Sequence, residues 1–226
     1  MREKAGAESI TSRTKAQRAF ADRAPRVAYP SRRAHKLGIM EVWGAVLYGD
    51  PCRECGFDWS VNPHAAVAQI ADLSDQLAAA TRTSAGSERR SAGGWSIAEY
   101  LCHIGDNLRQ WAERVQTARL AAIVEVDGYD PDELAAARRY ATIPLATALW
   151  SLSLATRDWT EVLELALHES IVLEHRTRGR QRAEDIVRNN YHDAYHHQWD
   201  VSQILLEQES PFVLPYRRSA SRRCDG

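Results

Sequence analysis

Residues 95–115 place the tightest constraint on how this chain can fold. Ser96 and Glu99 stand three apart, the spacing of a capping box, with Trp95 just outside it. Ile97, Leu101, Ile104, Leu108, Trp111 and Val115 then follow at alternating four- and three-residue steps. That period predicts a helix with a nearly continuous apolar seam of about five turns. A seam of that length must be covered by other elements.

Three further segments supply the cover. Asn62-Pro63 combines a good N-cap with a residue pre-organised for the first helical position. Val67, Ile70, Leu73 and Leu77 recur on one face after it, and the Ser/Gly-rich stretch TSAGSERRSAGG ends the helix. A third helix is expected from about Pro144 to Leu167, burying Leu145, Leu149, Leu152, Trp159, Val162 and Leu163. A fourth is expected from Ala183 to Gln208, with Val187, Asn190, Ala194, His197, Val201 and Ile204 on its inner stripe. A short helix follows Pro131, and HESIVLEHRTRGRQR reads as a connection that carries a short strand or turn. The pattern predicts an all-α four-helix bundle without a parallel β-pattern. Trp111, Trp150 and Trp159, at helical spacing, are expected in the core.

The chain divides into a basic extension (1–39), a lead-in (40–60), the bundle (61–210) and an irregular tail (211–226). Formal net charge is −1, which advertises neither nucleic acid nor membrane. It conceals a split: residues 1–39 hold ten Lys/Arg against three Asp/Glu, leaving the remainder at −8. The extension lacks sustained apolar periodicity and is expected to be disordered, and Met40 reads like a natural beginning. It lacks the aromatic interleaving of a nucleic-acid arm. No window reaches the roughly 18 apolar residues of a membrane span, and there is no apolar stretch of a secretory signal. Four cysteines (Cys52, Cys55, Cys102, Cys224) do not make a disulfide framework, so a cytoplasmic location is expected. The motifs of nucleotide-binding loops and serine-hydrolase elbows are absent.

Candidate chemistry concentrates in NNYHDAYHHQWD on the fourth helix. Residues four apart on a helix project from one side, so His192 with His196, or Asp193 with His197, can chelate a metal. On the helical wheel His197 lies within the inner stripe and Asp193 at its edge, whereas His192 and His196 point away. A site between helices therefore favours Asp193 and His197, with His103 of the second helix as third ligand. His192 and His196 remain alternative ligands or solvated surface residues. Asp200, one turn beyond His197, is placed to orient a ligand. Cys52-x-x-Cys55-Gly56 is a second candidate, for zinc or for thiol chemistry, and lacks an obvious completing pair: His64, Cys102 or a partner subunit are the options. Arg176, Arg178, Arg180 and Arg182 form either a solvated basic loop or a greeting for an anionic substrate.

These two helices carry a family resemblance. GGWSIAEYLCHIGDNLRQW resembles the Trp-Ser-x-x-Glu-x-x-x-His segment of the DinB-like (DinB/YfiT-type) proteins, and HDAYHHQWDV resembles their C-terminal metal-binding helix. Aligned on Val201, the family's second helical histidine falls on His197 and its first on Asp193, where this chain has an acid. The related mycothiol-dependent maleylpyruvate isomerases use an acid there. The helix-two histidine falls on His103. CRECGFDW resembles a segment that precedes the bundle in some actinobacterial members. The resemblance spans roughly residues 55–208. It implies an up-down-down-up bundle with one long crossover. It also implies a three-ligand divalent-metal site (Zn, Ni or Fe) with open positions, and thiol transfer, isomerisation or hydrolysis of a small molecule, with a low-molecular-weight thiol such as mycothiol as cosubstrate. No catalytic residue beyond the ligands is assigned. The competing reading is a non-catalytic bundle that binds or dimerises in a stress response. It expects residues 103, 193 and 197 to pair with one another and leave no open pocket.

Overall fold

The computed structural model describes residues 43–121 and 125–209. The extension 1–39, the tail 211–226 and Cys224 lie outside them. Six α-helices occur among these residues: α1 (Ala45–Tyr48), α2 (Pro63–Ala80), α3 (Ile97–Leu120), α4 (Pro131–Arg138), α5 (Leu145–Glu169) and α6 (Ala183–Glu209). None is long and apolar enough to cross a membrane.

Local chemistry sets the helix starts. Asn62 accepts from the backbone N–H groups of His64 (2.9 Å) and Ala65 (3.3 Å), with Pro63 at the first turn of α2. At α3 the Ser96 hydroxyl accepts from Glu99 N–H, and the Glu99 carboxylate accepts from Ser96 N–H at 2.7 Å. Arg89 pairs with the same carboxylate at 2.6 Å. Asp130 caps α4. In the connection before α3, Gly86 has φ +87°, and a Cβ there would stand 2.7 Å from the Leu145 Cβ, so both backbone and space require glycine.

The six seam residues of α3 are all buried, as are Val67, Ile70, Leu73 and Leu77 of α2. On α5 the interior face is narrower than the sequence suggests. Leu152, Trp159 and Leu163 are buried among Ala148, Ala155 and Ala166, while Leu145, Leu149 and Val162 are half-buried. Trp150 does not join the core: it is 65% exposed, because it lies off the line of these alanines. The indole N–H of buried Trp159 donates to Asn190 Oδ1 at 2.8 Å, tying α5 to α6. Arg109 of α3 donates to Ser151 Oγ and Arg119 pairs with Glu169, so residue numbers rise together along α3 and α5. They also rise together along α2 and α6, where Arg188 donates to Val61 O and Gln198 to Gln76.

The fold is mostly helical but not all-α. Strands β1 (Glu125–Val126), β2 (Val172–His175) and β3 (Gly179–Arg182) form a sheet in that order, β1 parallel and β2–β3 antiparallel. The parallel pair corrects the expectation of no such pattern. Its strands are too short for alternation to register, and β3 (GRQR) has no apolar residue. As a parallel pairing requires, a long crossover joins the two strands, here carrying α4 and α5. Buried Asp106 anchors this crossover. Its carboxylate accepts from Tyr140 Oη (2.5 Å), Arg138 (2.6 Å) and Arg109 (2.5 Å).

The lead-in folds onto the outer face of α6. Cys52, Cys55 and Phe57 form a small second core, against which Trp59, Val61, Tyr191, Tyr195 and Trp199 pack.

Candidate metal centre

His103 on α3 and Asp193 and His197 on α6 are brought together between the helices. One donor atom from each lies within 4.8 Å of the other two. His103 Nε2 stands 3.5 Å from Asp193 Oδ2, and His197 Nε2 stands 3.8 Å from Asp193 Oδ1. Tetrahedral donors about 2.1 Å from an ion are separated by about 3.4 Å, so these spacings need only small side-chain adjustments.

The surroundings orient each group. Asn107 Nδ2 donates to Asp193 Oδ2 at 2.7 Å, and Tyr129 Oη lies 3.5 Å from Asn107 Oδ1. His197 Nδ1 lies 3.0 Å from Asp200 Oδ2, which turns its Nε2 toward the shared point. His103 packs against Trp95 and stands perpendicular to His197, ring centroids 4.8 Å apart. His103 Nδ1 is buried without a hydrogen-bond partner among the described residues.

Electrostatics follow from this crowding. Burial alone would raise Asp193, yet the facing imidazoles of His103 and His197 outweigh it and hold the carboxyl well below the usual range. For His197, burial works to lower the pKa, but its bond to Asp200 and the charge of Asp193 carry it above the ordinary value. Burial keeps Tyr129 a phenol.

The three residues border a cavity of about 1020 Å3. Its wall includes Tyr48 of the lead-in, Asn107 and Trp111 of α3, and Tyr129. Arg114 also lines it, stacked over Trp111 with its guanidinium 5.0 Å from the ring centroid. Of the four arginines 176–182, only Arg178 lines the cavity, and it has no acidic partner among the described residues. Arg176 pairs with Glu125 and Asp127, and Arg182 with Asp185. Asn107 was not singled out from sequence, though its position one turn from His103 was the available signal. Arg114, Tyr129 and Tyr48 gave none.

His192 and His196 do not join this donor set, although His192 borders the same cavity, and they are not simply solvated. His192 is 4% exposed and His196 half-buried, because the lead-in covers the face of α6 that carries them. Both stand with Cys52 and Cys55, the four donor atoms within 4.8 Å of one another. His64 and Cys102 are elsewhere: His64 is exposed beside Glu164, and Cys102 is buried on α3, where burial pushes its thiol up to about 12.

Fold and site together define a helical bundle with a His/Asp/His donor set at the edge of a large cavity. Among solved structures, one similar chain is YfiT from Bacillus subtilis, described as a probable metal-dependent hydrolase with an unusual four-helix bundle topology. The likeness has a TM-score of 0.58 and covers 65% of this chain and 87% of that one, at 14% identity, and it supports the bundle fold. No family model and no curated protein matches the chain.

Proposed function

We propose that this chain is a divalent-metal-dependent enzyme of DinB/YfiT type acting on a small molecule, with hydrolysis as the reaction class. His103, Asp193 and His197 would hold the ion. Two imidazoles and a carboxylate suit zinc, nickel or iron. The orphaned, buried Nδ1 of His103 and the mutual crowding of the three donors fit such a group. The observation that carries the reading is that these donors come from two different helices and border a cavity of substrate size with a mixed polar and apolar wall. The rise of residue numbers along α3 with α5 and along α2 with α6 supports an up-down-down-up sense.

When bound, the ion acts as a Lewis acid and lowers the pKa of a coordinating water or thiol. The chain's own groups do the rest. Asn107 fixes the Asp193 carboxylate, Asp200 fixes the His197 ring, and the Trp95 ring limits the swing of His103. Arg178 and Arg114 offer positive charge on the wall of the same cavity, which suits a substrate or cosubstrate carrying an anionic group. A thiol cosubstrate such as mycothiol is compatible with that wall and makes transfer or isomerisation the alternative chemistry. Three free cysteines and no disulfide among the described residues accord with a cytoplasmic location.

The binding-module reading draws support from the pairing of residues 103, 193 and 197 with one another, and the adjoining cavity counts against it. The test is metal content of tag-free protein by elemental analysis, wild type against a His103→Ala/His197→Ala variant. The proposal expects the variant to lose one ion per chain. An unchanged metal content in a folded variant would refute it.

A further inference from the structure

The geometry points to a second metal site, distinct from the first: we propose that Cys52, Cys55, His192 and His196 bind one zinc ion that clamps the lead-in to α6.

The donors are the two thiols and two imidazoles of a closed tetrahedral zinc site, and their local spacings, Cys-x2-Cys and His-x3-His, are those such sites use. The two halves come from positions 144 residues apart, joined only by folding. Cys52 Sγ stands 3.9 Å from His196 Nδ1, where sulfur and nitrogen on one zinc ion are separated by about 3.6 Å. Glu54 lies 3.2 Å from the other nitrogen of His196, so the ring turns Nδ1 toward the cysteines through a carboxylate behind it. Nε2 of His192 is buried without a hydrogen-bond partner among the described residues, in a side chain only 4% exposed. An orphaned imidazole nitrogen of that kind is costly unless something ligates it.

The cysteine loop is shaped for the task. Gly56 N–H donates to Cys52 O at 2.9 Å, and Cys52 N–H donates to Phe57 O at 2.9 Å, which curls both sulfurs to one side. Gly56 has φ +74°, a conformation that a side chain would strain. Around the donors stand Tyr48, Phe57 and Trp59, each with its ring centroid within about 5.1 Å of that of His192. Tyr48 and His192 also border the large cavity, but two thiolates and two imidazoles already fill a four-coordinate zinc ion, so a closed, structural role fits better than a catalytic one. The same lead-in supplies Tyr48 to the cavity wall of the first site. The clamp therefore holds part of that wall in place.

The test uses full-length, tag-free protein reconstituted with cobalt(II). Two thiolates on cobalt give an intense sulfur-to-metal charge-transfer band, which a His/Asp/His site cannot produce. The proposal expects that band in the wild type, its retention in His103→Ala/His197→Ala, and its loss in Cys52→Ser/Cys55→Ser together with one zinc ion per chain. Absence of the band in cobalt-loaded wild type would overturn the proposal, and that measurement needs no variant to fold. Zinc content unchanged in the cysteine variant would overturn it equally. Since loss of the band and loss of metal at His103 and His197 are separate readings, either site can fail alone.

Discussion

Replacing Asn107 by alanine tests whether the ligand carboxylate is held from behind. Its amide donates to Asp193 Oδ2 at 2.7 Å, and Asn107 is 7% exposed. A hydrogen bond to a charged group contributes about 1.5–3 kcal/mol. The Asp193 side chain is 30% exposed through the cavity, so water can replace part of what the amide gives. That places the loss near the lower end, about 1.5 kcal/mol, or about tenfold in metal affinity, the lower edge of what outer partners of metal ligands typically contribute. The assay is a competition titration of apo-protein against a chromophoric chelator, with Asp193→Ala as the benchmark for full loss. A folded Asn107→Ala protein that binds metal within twofold of wild type, while Asp193→Ala does not bind, would refute the reasoning.

Two predictions concern stability. Asp106→Ala leaves the buried Tyr140 hydroxyl and two half-exposed guanidinium groups without their carboxylate. The exposed pairs add little, so the loss is about 3 kcal/mol, seen as a fall in Tm of roughly 6–12 °C; a fall under 2 °C would remove Asp106 as the anchor of the crossover. Trp159→Phe strands the buried Asn190 oxygen and is expected to destabilise by about 1–3 kcal/mol in urea melts. Adding Asn190→Leu should restore part of that loss, and an additive double variant would contradict the pairing.

The helices were legible because their determinants are local. The Ser96–Glu99 box, the Asn62-Pro63 start and the four-three spacing of the α3 seam each act within a few residues. The grouping of His103 with Asp193 and His197 was also readable, since helical periodicity fixes which side chains share a face. The sheet was not, because its β1–β2 pairing is parallel and closed only by the whole crossover, with strands of two and four residues. Nor was the partnership of His192 and His196 with Cys52 and Cys55. The wheel sets both imidazoles apart from the inner stripe, but it could not foresee that the lead-in returns to cover them. Trp150 failed for a related reason: spacing gave it a helix, not a face.

The arrangement on α6 ties distant parts of the molecule to one rigid rod. His192 and His196 look outward, Asp193 and His197 inward, and each pair is offset from the other by a single residue. Any axial turn of that rod swings both pairs through the same angle. A single-residue insertion between Ala183 and His192 would carry every one of these side chains about 100° around the axis. Such a slip would dismantle both donor sets at once while leaving the helix itself intact.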